Sequence, residues 1–406
     1  MIYLPEAERP PGLFCFTVDF LSKKEYNIEV KIHFTKKESE IMRKKTICLL
    51  LVLVMLLLSV SGCGKSVKYS EHLEDYVEKM TYRDGFTILQ LTDIHWSNGT
   101  QIGDDNYGQR EYLKKLVAEA VSHAGKVDLI EVTGDTFMLS NKAAVKSFIE
   151  FMEELGIPYA MTWGNHDRQG QYNPNWISKQ FMNAEHCIYI EIDNDDVHER
   201  ANYVIDLVDD AGKTVWQIFN LDSGASYRKG ATDLGLTYDY IREDQYAWMK
   251  AEHDAAGADI PSLCYYHIAQ MDTVEAYEKI TAGDSSYTSK FFKLESFANS
   301  KYALSTTETF VACNVKGAFM GHCHANDFTY TTPEGIVYGF GVKTGLELYR
   351  GIVEAGCEGA GFEVTEGFDL TGASLVTIKD TAGSFELEHL YLNERDGGDF
   401  VMWVKY

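Results

Sequence analysis

Five short blocks of this sequence gather residue types that bind metal ions: Asp93-Ile94-His95, Gly134-Asp135, Gly164-Asn165-His166-Asp167, His267 and Gly321-His322-Cys323-His324. Imidazole, carboxylate and amide oxygen without thiolate suit Mn, Fe, Zn or Ni rather than a structural cysteine site. In extended chain, Asp93 and His95 stand at i and i+2 and point to one side, where both can reach one ion; His322 and His324 repeat the spacing. Asp135 has two oxygens with which to bridge a pair of ions, and the glycine before it lets backbone approach closely. The same alternation turns Cys323 to the opposite face, so its thiol reads as packing. Each fragment alone has an ordinary structural reading, since a strand-end Asp often caps a turn and a single buried His is more often a hydrogen-bonded core residue than a ligand.

What raises these blocks above that reading is where they fall. Residues 86–91 form an apolar stretch ending in Thr92-Asp93, 128–132 one ending just before Gly134-Asp135, and 159–163 one ending in Gly164-Asn165. Between them, residues 110–123 carry Leu113, Leu116, Val117 and Ala120 at helical spacing, and residues 142–155 place Ala144, Phe148, Phe151 and Met152 on one helical face. Residues 263–267 and 317–322 are further strands that end in histidine. Hairpins are expected over 203–207 and 215–221, around Asp209-Asp210-Ala211-Gly212-Lys213, and over 375–379 and 385–392, around Asp380-Thr381-Ala382-Gly383. A helix is expected over 244–253. Strands alternating with helices predict an α/β (α+β) chain whose polar strand-end residues collect at one sheet edge. No repeat or linker divides residues 86–406.

Taken in order, the blocks D-x-H, G-D, G-N-H-D, H and G-H-x-H, from Asp93 to His324, resemble the calcineurin-like metallophosphoesterases. The resemblance implies a four-layer αββα sandwich, two mixed β-sheets flanked by helices, and two divalent or trivalent metal ions. By matching position, Asp93, His95 and His324 hold one ion, Asn165, His267 and His322 hold the other, and Asp135 bridges them. His166 is the catalytic histidine outside both ligand sets, with Asp167 orienting its ring or serving structure. The implied activity is hydrolysis of phosphomonoesters or phosphodiesters by water activated between the two ions, with His166 bonding the phosphoryl oxygens or protonating the leaving alkoxide. Some positions depart from the pattern. Met138 stands where purple acid phosphatases carry a tyrosine, and they lack the histidine found here at 95, which argues against a tyrosinate-ligated iron site. Asn141 is the nearest counterpart of the Asp or Asn often found after the G-D block, and Ile268-Ala269 follow His267 where relatives often have proline. Rim residues for substrate are Tyr265, Tyr266, Tyr349, Arg168 and Lys343, of which Arg168 and Tyr349 stand as the substrate contacts; core or surface packing is the competing role for each tyrosine. The glycine-rich stretch 339–345 lacks the spacing of a Walker loop.

Composition sets the remaining expectations. The 406 residues are 45% hydrophobic and carry a formal net charge of −24, enough apolar content for a sizeable core and the wrong sign for tracking a nucleic-acid backbone. The partner expected is a small phosphate ester. At the front, Met42-Arg43-Lys44-Lys45 precedes an apolar run over 47–58 and then Ser59-Val60-Ser61-Gly62-Cys63, the order of a secretion signal. An apolar run of that length rises about 18 Å as a helix against a hydrocarbon core of about 30 Å, so it does not read as a span. Val60-Ser61-Gly62-Cys63 resembles a bacterial lipobox, which makes residues 42–62 a lipoprotein signal peptide and Cys63 the lipidated first residue. Residues 1–41 then read as an upstream extension before a start at Met42, and 63–85 as a polar tether. The expected location is a bacterial membrane, with the chain lipid-anchored at the cell surface or facing the periplasm. Cys187, Cys264, Cys313, Cys323 and Cys357 are too sparse for a disulfide framework. The rival to an enzyme is a non-catalytic solute-binding or adhesive lipoprotein that keeps the fold. Oligomeric state is left open.

Overall fold

The computed structural model describes residues 73–97, 106–170, 172–191, 197–227, 237–346, 371–393 and 400–406. Cys63, the segments 1–41 and 42–62, and Tyr349 lie outside the described residues. A 3-10 turn at Leu73–Tyr76 leads into β1 (Val77–Thr81), which pairs in parallel with a later strand. The expected tether therefore supplies an edge strand. Its sequence, Val-Glu-Lys-Met-Thr, is mostly exposed, so it carried no apolar alternation to announce it.

From β2 (Phe86–Leu91) onward, strands and helices alternate: α1 (Asn106–Ala124), β3 (Leu129–Thr133), α2 (Lys142–Leu155), β4 (Tyr159–Thr162) and α3 (Pro174–Met182). Helix α2 has the expected limits because its ends are capped. The Asn141 side chain accepts the Ala143 and Ala144 N–H groups, and Gly156 closes the helix at a left-handed φ of 62°. Asn141, the nearest counterpart of the Asp or Asn often found after the G-D block, serves as the N-cap of this helix. Next come β5 (Tyr203–Val208) and β6 (Thr214–Asn220), the expected hairpin, then the short β7 (Ser226–Tyr227) and β8 (Thr237–Tyr238). The chain continues through α4 (Glu243–Ala256), β9 (Ser262–Tyr265), α5 (Met271–Thr281), β10 (Thr288–Lys293), α6 (Thr307–Ala312), β11 (Val315–Met320), β12 (Asn326–Thr331) and β13 (Val337–Phe340). It ends with β14 (Gly372–Ile378), β15 (Phe385–Asn393) and β16 (Phe400–Lys405).

These strands make a six-stranded sheet, order β16-β15-β14-β2-β3-β4, and an eight-stranded sheet, order β1-β5-β6-β9-β11-β13-β12-β10. Both are mixed. In the first, β2, β3 and β4 run parallel; in the second, β6, β9, β11 and β13 do. One core packs Leu113 and Leu116 of α1 and Phe148 of α2 with Ile88, Ile130 and Leu375 of the six-stranded sheet, and continues to Ile218, Leu263 and Phe319 of the other. A second core sets Trp248 and Met249 of α4 and Phe310 of α6 against Phe219, Tyr266 and Met320. Helices therefore cover both outer faces, which is the four-layer αββα sandwich. Between the sheets, the Tyr203 hydroxyl accepts the Met161 N–H and donates to the Met161 carbonyl at 2.9 and 2.8 Å.

Phe148 shows how the helix layer supports the strand ends. Its ring meets Trp96, Phe137 and Phe181 at 5.6, 5.7 and 6.4 Å, and Trp96 and Phe137 directly follow the His95 and Asp135 loops. Phe148→Ala should cost about 3–5 kcal/mol, seen in urea unfolding as a lower midpoint at unchanged slope. A loss below about 1 kcal/mol would mean that this face of α2 carries no such load.

Candidate metal centre

The strand-end residues converge by a route other than the expected alternation. Asp93, His95, Asp135 and His322 have φ of 52°, 50°, 46° and 75°, so the backbone there is left-handed and not extended. Among the described residues, the other non-glycine residues with positive φ are Glu199 and Asn314. Such conformations cost of order 1–3 kcal/mol each and persist where the surroundings over-determine them. Here the surroundings are neighbouring loops zipped together. Asp93 N–H donates to Gly134, His95 N–H to Asp135 and Trp96 N–H to Thr136, at 3.1, 3.0 and 2.7 Å, while Gly321 N–H donates to His267 at 3.1 Å. Gly321 cannot be larger, since a Cβ there would lie 2.0 Å from Thr92 Oγ1 and 2.8 Å from Asp93 Oδ2.

Two groups of donors result, one formed by Asp93, His95, Asp135 and His324 and the other by Asp135, His267 and His322, with all ligand atoms of each group within 4.8 Å of one another. In the first, His324 Nε2 lies 3.1 Å from Asp93 Oδ1 and 3.3 Å from His95 Nε2. In the second, His267 Nε2 lies 3.3 Å from Asp135 Oδ2, and the His267 and His322 ring centroids are 5.0 Å apart. Asp135 belongs to both. Its Oδ1 accepts the His166 N–H at 2.7 Å. Asp93 is fixed by the Thr92 hydroxyl at 2.8 Å and the His322 N–H at 2.9 Å.

Electrostatics supports the same grouping. Burial works against ionised Asp93, yet the facing His324 holds its carboxyl down to about 2. Burial likewise opposes ionised Asp135, and His267, His95 and His166 hold it well below the usual carboxylate range. His95 and His322 are driven down by burial, to about 4 and about 3, and stay neutral as ligands must. His267 is the exception: burial lowers it, but Asp135 and then Asp93 raise it to about 9. Its Nδ1 faces the Thr133 carbonyl at 2.9 Å, which fixes the tautomer and leaves Nε2 toward the cluster. Asn165 Oδ1 and His322 Nε2 are buried without a hydrogen-bond partner among the described residues. Buried acceptors of that kind fit a cation, and the nitrogen and oxygen set fits the ions expected from the sequence.

Several sequence expectations need correction. Asp167 gives Oδ1 to the Phe137 N–H and Oδ2 to the Gly164 N–H, at 2.9 and 2.8 Å, so its carboxylate braces two loops and does not orient the His166 ring. Arg168, expected as a substrate contact, pairs its guanidinium with Glu199 and Asp222 and lies over Trp163. Lys343 is 1% exposed and bonds Thr371. Tyr265 and Tyr266 are fully buried in the two cores. Cys323 packs in the second core, and burial pushes its thiol up to about 12. His166 stands beside the first group, its ring 5.1 Å from that of His95. Sequence reasoning missed Tyr238, whose ring meets His322 at 4.4 Å; the short strand that carries it has no pattern to detect.

The family model for calcineurin-like phosphoesterases matches residues 86–324, more than half of the chain and the whole span of the ligand residues. The chain belongs to the calcineurin-like phosphoesterase family. It is similar to a probable inactive purple acid phosphatase 28 of Arabidopsis thaliana, 27% identical over 66% of this chain and 73% of that protein. Phosphatase DCR2 of Saccharomyces cerevisiae is 25% identical over 60% of this chain and 44% of its own length. A probable cyclic nucleotide phosphodiesterase of Psychrobacter arcticus is 32% identical over 20% of this chain and 30% of its own length. This calcineurin-like chain is a metallophosphoesterase hydrolase, in a family that uses binuclear metal centres. It has Met138 where a tyrosinate would have to come from, and His95 within the donor set.

Because His267 holds a proton up to about pH 9 in the metal-free chain, an ion at its Nε2 must displace that proton. Apparent affinity at the Asp135–His267–His322 group should rise about tenfold per pH unit from about pH 6 to about pH 8, before levelling off as His267 loses its proton. Competition against a chelator of known protonation, with Mn2+ as the probe, measures this. A flat profile would contradict the Asp135–His267 pairing.

Proposed function

We propose that the protein hydrolyses phosphomonoesters or phosphodiesters with two ions, one at Asp93, His95 and His324, one at Asn165, His267 and His322, with Asp135 between them. The observation that carries this is the convergence of two buried donor groups on the shared Asp135 carboxylate. Ions held there supply Lewis acidity, acidifying water and neutralising charge on the entering and leaving oxygens. The chain's own part falls to His166. Its backbone is tied to Asp135, its ring lies edge-on to His95, and its Nδ1 is buried without a hydrogen-bond partner among the described residues. From that place the imidazolium donates to a phosphoryl oxygen, or passes its proton to the leaving alkoxide as the P–O bond breaks. The alternative, a non-catalytic binding lipoprotein, draws weight from relatives whose names include "probable inactive". Assay of the metal-loaded protein on a panel of phosphomonoesters and phosphodiesters decides between them.

His166→Ala should keep both metals and the fold while kcat falls about 100-fold or more. The loss should be smaller for nitrophenyl esters than for alkyl esters, because a weakly basic leaving group needs little protonation. Equal losses would assign His166 to charge stabilisation, and unchanged turnover on both would remove it from the mechanism.

The membrane location is part of the same proposal and rests on the sequence from Met42 to Cys63. Among the described residues no helix is long and apolar enough to cross a membrane. A multiply acylated Cys63 would hold the enzyme at the outer face of a bacterial membrane more firmly than one chain could, within reach of small esters from outside. Mass spectrometry of the membrane-extracted protein should find acylated Cys63 at its N-terminus. A soluble product that starts at Met1 would refute the anchor and leave the hydrolase reading standing.

A further inference from the structure

Between the two sheets, behind the strand ends, lies a group of polar side chains that phosphoester hydrolysis does not use. Glu131 of β3 is fully buried, and burial pushes its carboxyl well above the usual carboxylate range. Among the described residues no lysine, arginine or histidine pairs with it; the Asn220 amide of β6, hydrogen-bonding from the other sheet, is what opposes burial. Strand register shows what surrounds the pair. Glu131 is flanked by Gln90 of β2 and Ala160 of β4, while Thr162 pairs with Thr133, two residues further along β3 on the same face. That face looks toward the eight-stranded sheet, because Gln90 Nε2 donates to the Met320 carbonyl of β11 at 3.3 Å. In the facing sheet Tyr203, Asn220 and Tyr265 stand side by side across β5, β6 and β9, and the Tyr203 hydroxyl reaches back to Met161. The two rows therefore share one gap, in which the Glu131 charge acts on the Tyr265 and Tyr203 hydroxyls.

Gln90 Oε1, Thr162 Oγ1, Asn220 Oδ1 and the Tyr265 hydroxyl are each buried without a hydrogen-bond partner among the described residues, on side chains with 0% exposure. Unmet polar atoms gathered around one carboxyl are costly unless something satisfies them together. The donors are carboxylate, amide and hydroxyl oxygen with no nitrogen or sulfur, which is the set that holds a hard cation. They bring one negative charge in all, so a single positive charge balances them. The geometry points to an internal site for an alkali-metal cation, Na+ or K+, held between the two sheets by Glu131, Asn220, Tyr265 and Thr162. Gln90 links this gap to the donor groups, since its Nε2 also donates to the Thr133 hydroxyl and the Thr133 carbonyl faces His267. The site is independent of the hydrolase reading, and its occupancy is read in folding rather than in turnover.

The test follows thermal unfolding of the metal-loaded full-length protein in NaCl, KCl and tetramethylammonium chloride at one ionic strength, the last cation having no free coordination position. Above the dissociation constant, each tenfold rise in Na+ or K+ should multiply the folding equilibrium constant about tenfold. For a chain of this length that is a midpoint rise of about 2 °C. Glu131→Gln, which keeps the shape and removes the charge, should abolish the dependence. Should that variant fail to fold, Tyr265→Phe keeps the ring in the core and removes only the hydroxyl; the same rise should then need about tenfold more cation. Equal midpoints in all three salts overturn the site, and so does a rise that survives Glu131→Gln or Tyr265→Phe unchanged. Crystals soaked in Rb+ give the direct reading. An anomalous peak between Glu131, Asn220 and Tyr265 supports the site, and ordered water there without anomalous signal refutes it.

Discussion

The Asp135 carboxylate is 1% exposed, with Oδ1 bonded to the His166 N–H and Oδ2 facing His267 and His95 at 3.3 and 3.8 Å. A buried carboxylate is costly unless opposite charge or hydrogen-bond donors surround it. Satisfying it brings together loops from both sheets: the end of β2 with His95, the end of β4 with His166, and the end of β9 with His267. The close fit leaves no room for side chains nearby. At Gly134 a Cβ would stand 2.5 Å from the His267 ring, and at Gly164 it would stand 2.1 Å from the Asp135 nitrogen. Remove the charge, and the reason for these loops to crowd one another goes with it.

Asp167, Arg168 and Gln90 brace the loops around the donor groups. Asp167 ties the loop after β3 to the loop after β4, and burial followed by the nearby Asp135 charge raises it to about 7. Arg168 carries that tie across to Asp222, just past the end of β6 in the other sheet. Below the site, Gln90 donates to the Thr133 hydroxyl, whose residue also offers its carbonyl to His267. Positions that look chemical in sequence, a carboxylate and a guanidinium directly after His166, turn out to tie loops together, Asp167 within one sheet and Arg168 across to the other.

Local signals account for what the sequence disclosed. Strand β2 is apolar at four of its six positions, and α2 has an Asn cap, a glycine stop and an apolar face, so both could be bounded to the residue. The ligand types were legible because their blocks are short and ordered along the chain. Their geometry was not, because i and i+2 spacing implies a shared side only in extended backbone, and the chain here is left-handed. Nor did the pattern reveal β1, a polar edge strand, the ion pairs of Arg168 or the burial of Lys343. Those outcomes depend on partners distant in sequence, such as Val204 to Val208 for β1 and Asp222 for Arg168.

The left-handed backbone at Asp93, His95, Asp135 and His322 has a consequence for how such a site ages. Glycine adopts that conformation with less strain than Asp or His. Replacing Asp93, His95 or His322 by glycine would relax the backbone locally while removing a candidate metal donor, so relief of strain and loss of the donor go together. While ions are bound, their affinity offsets the strain and selection can keep it. In a lineage where the chemistry is no longer needed, nothing opposes the relaxation, and the site drifts toward a quieter, more stable scaffold of the same shape.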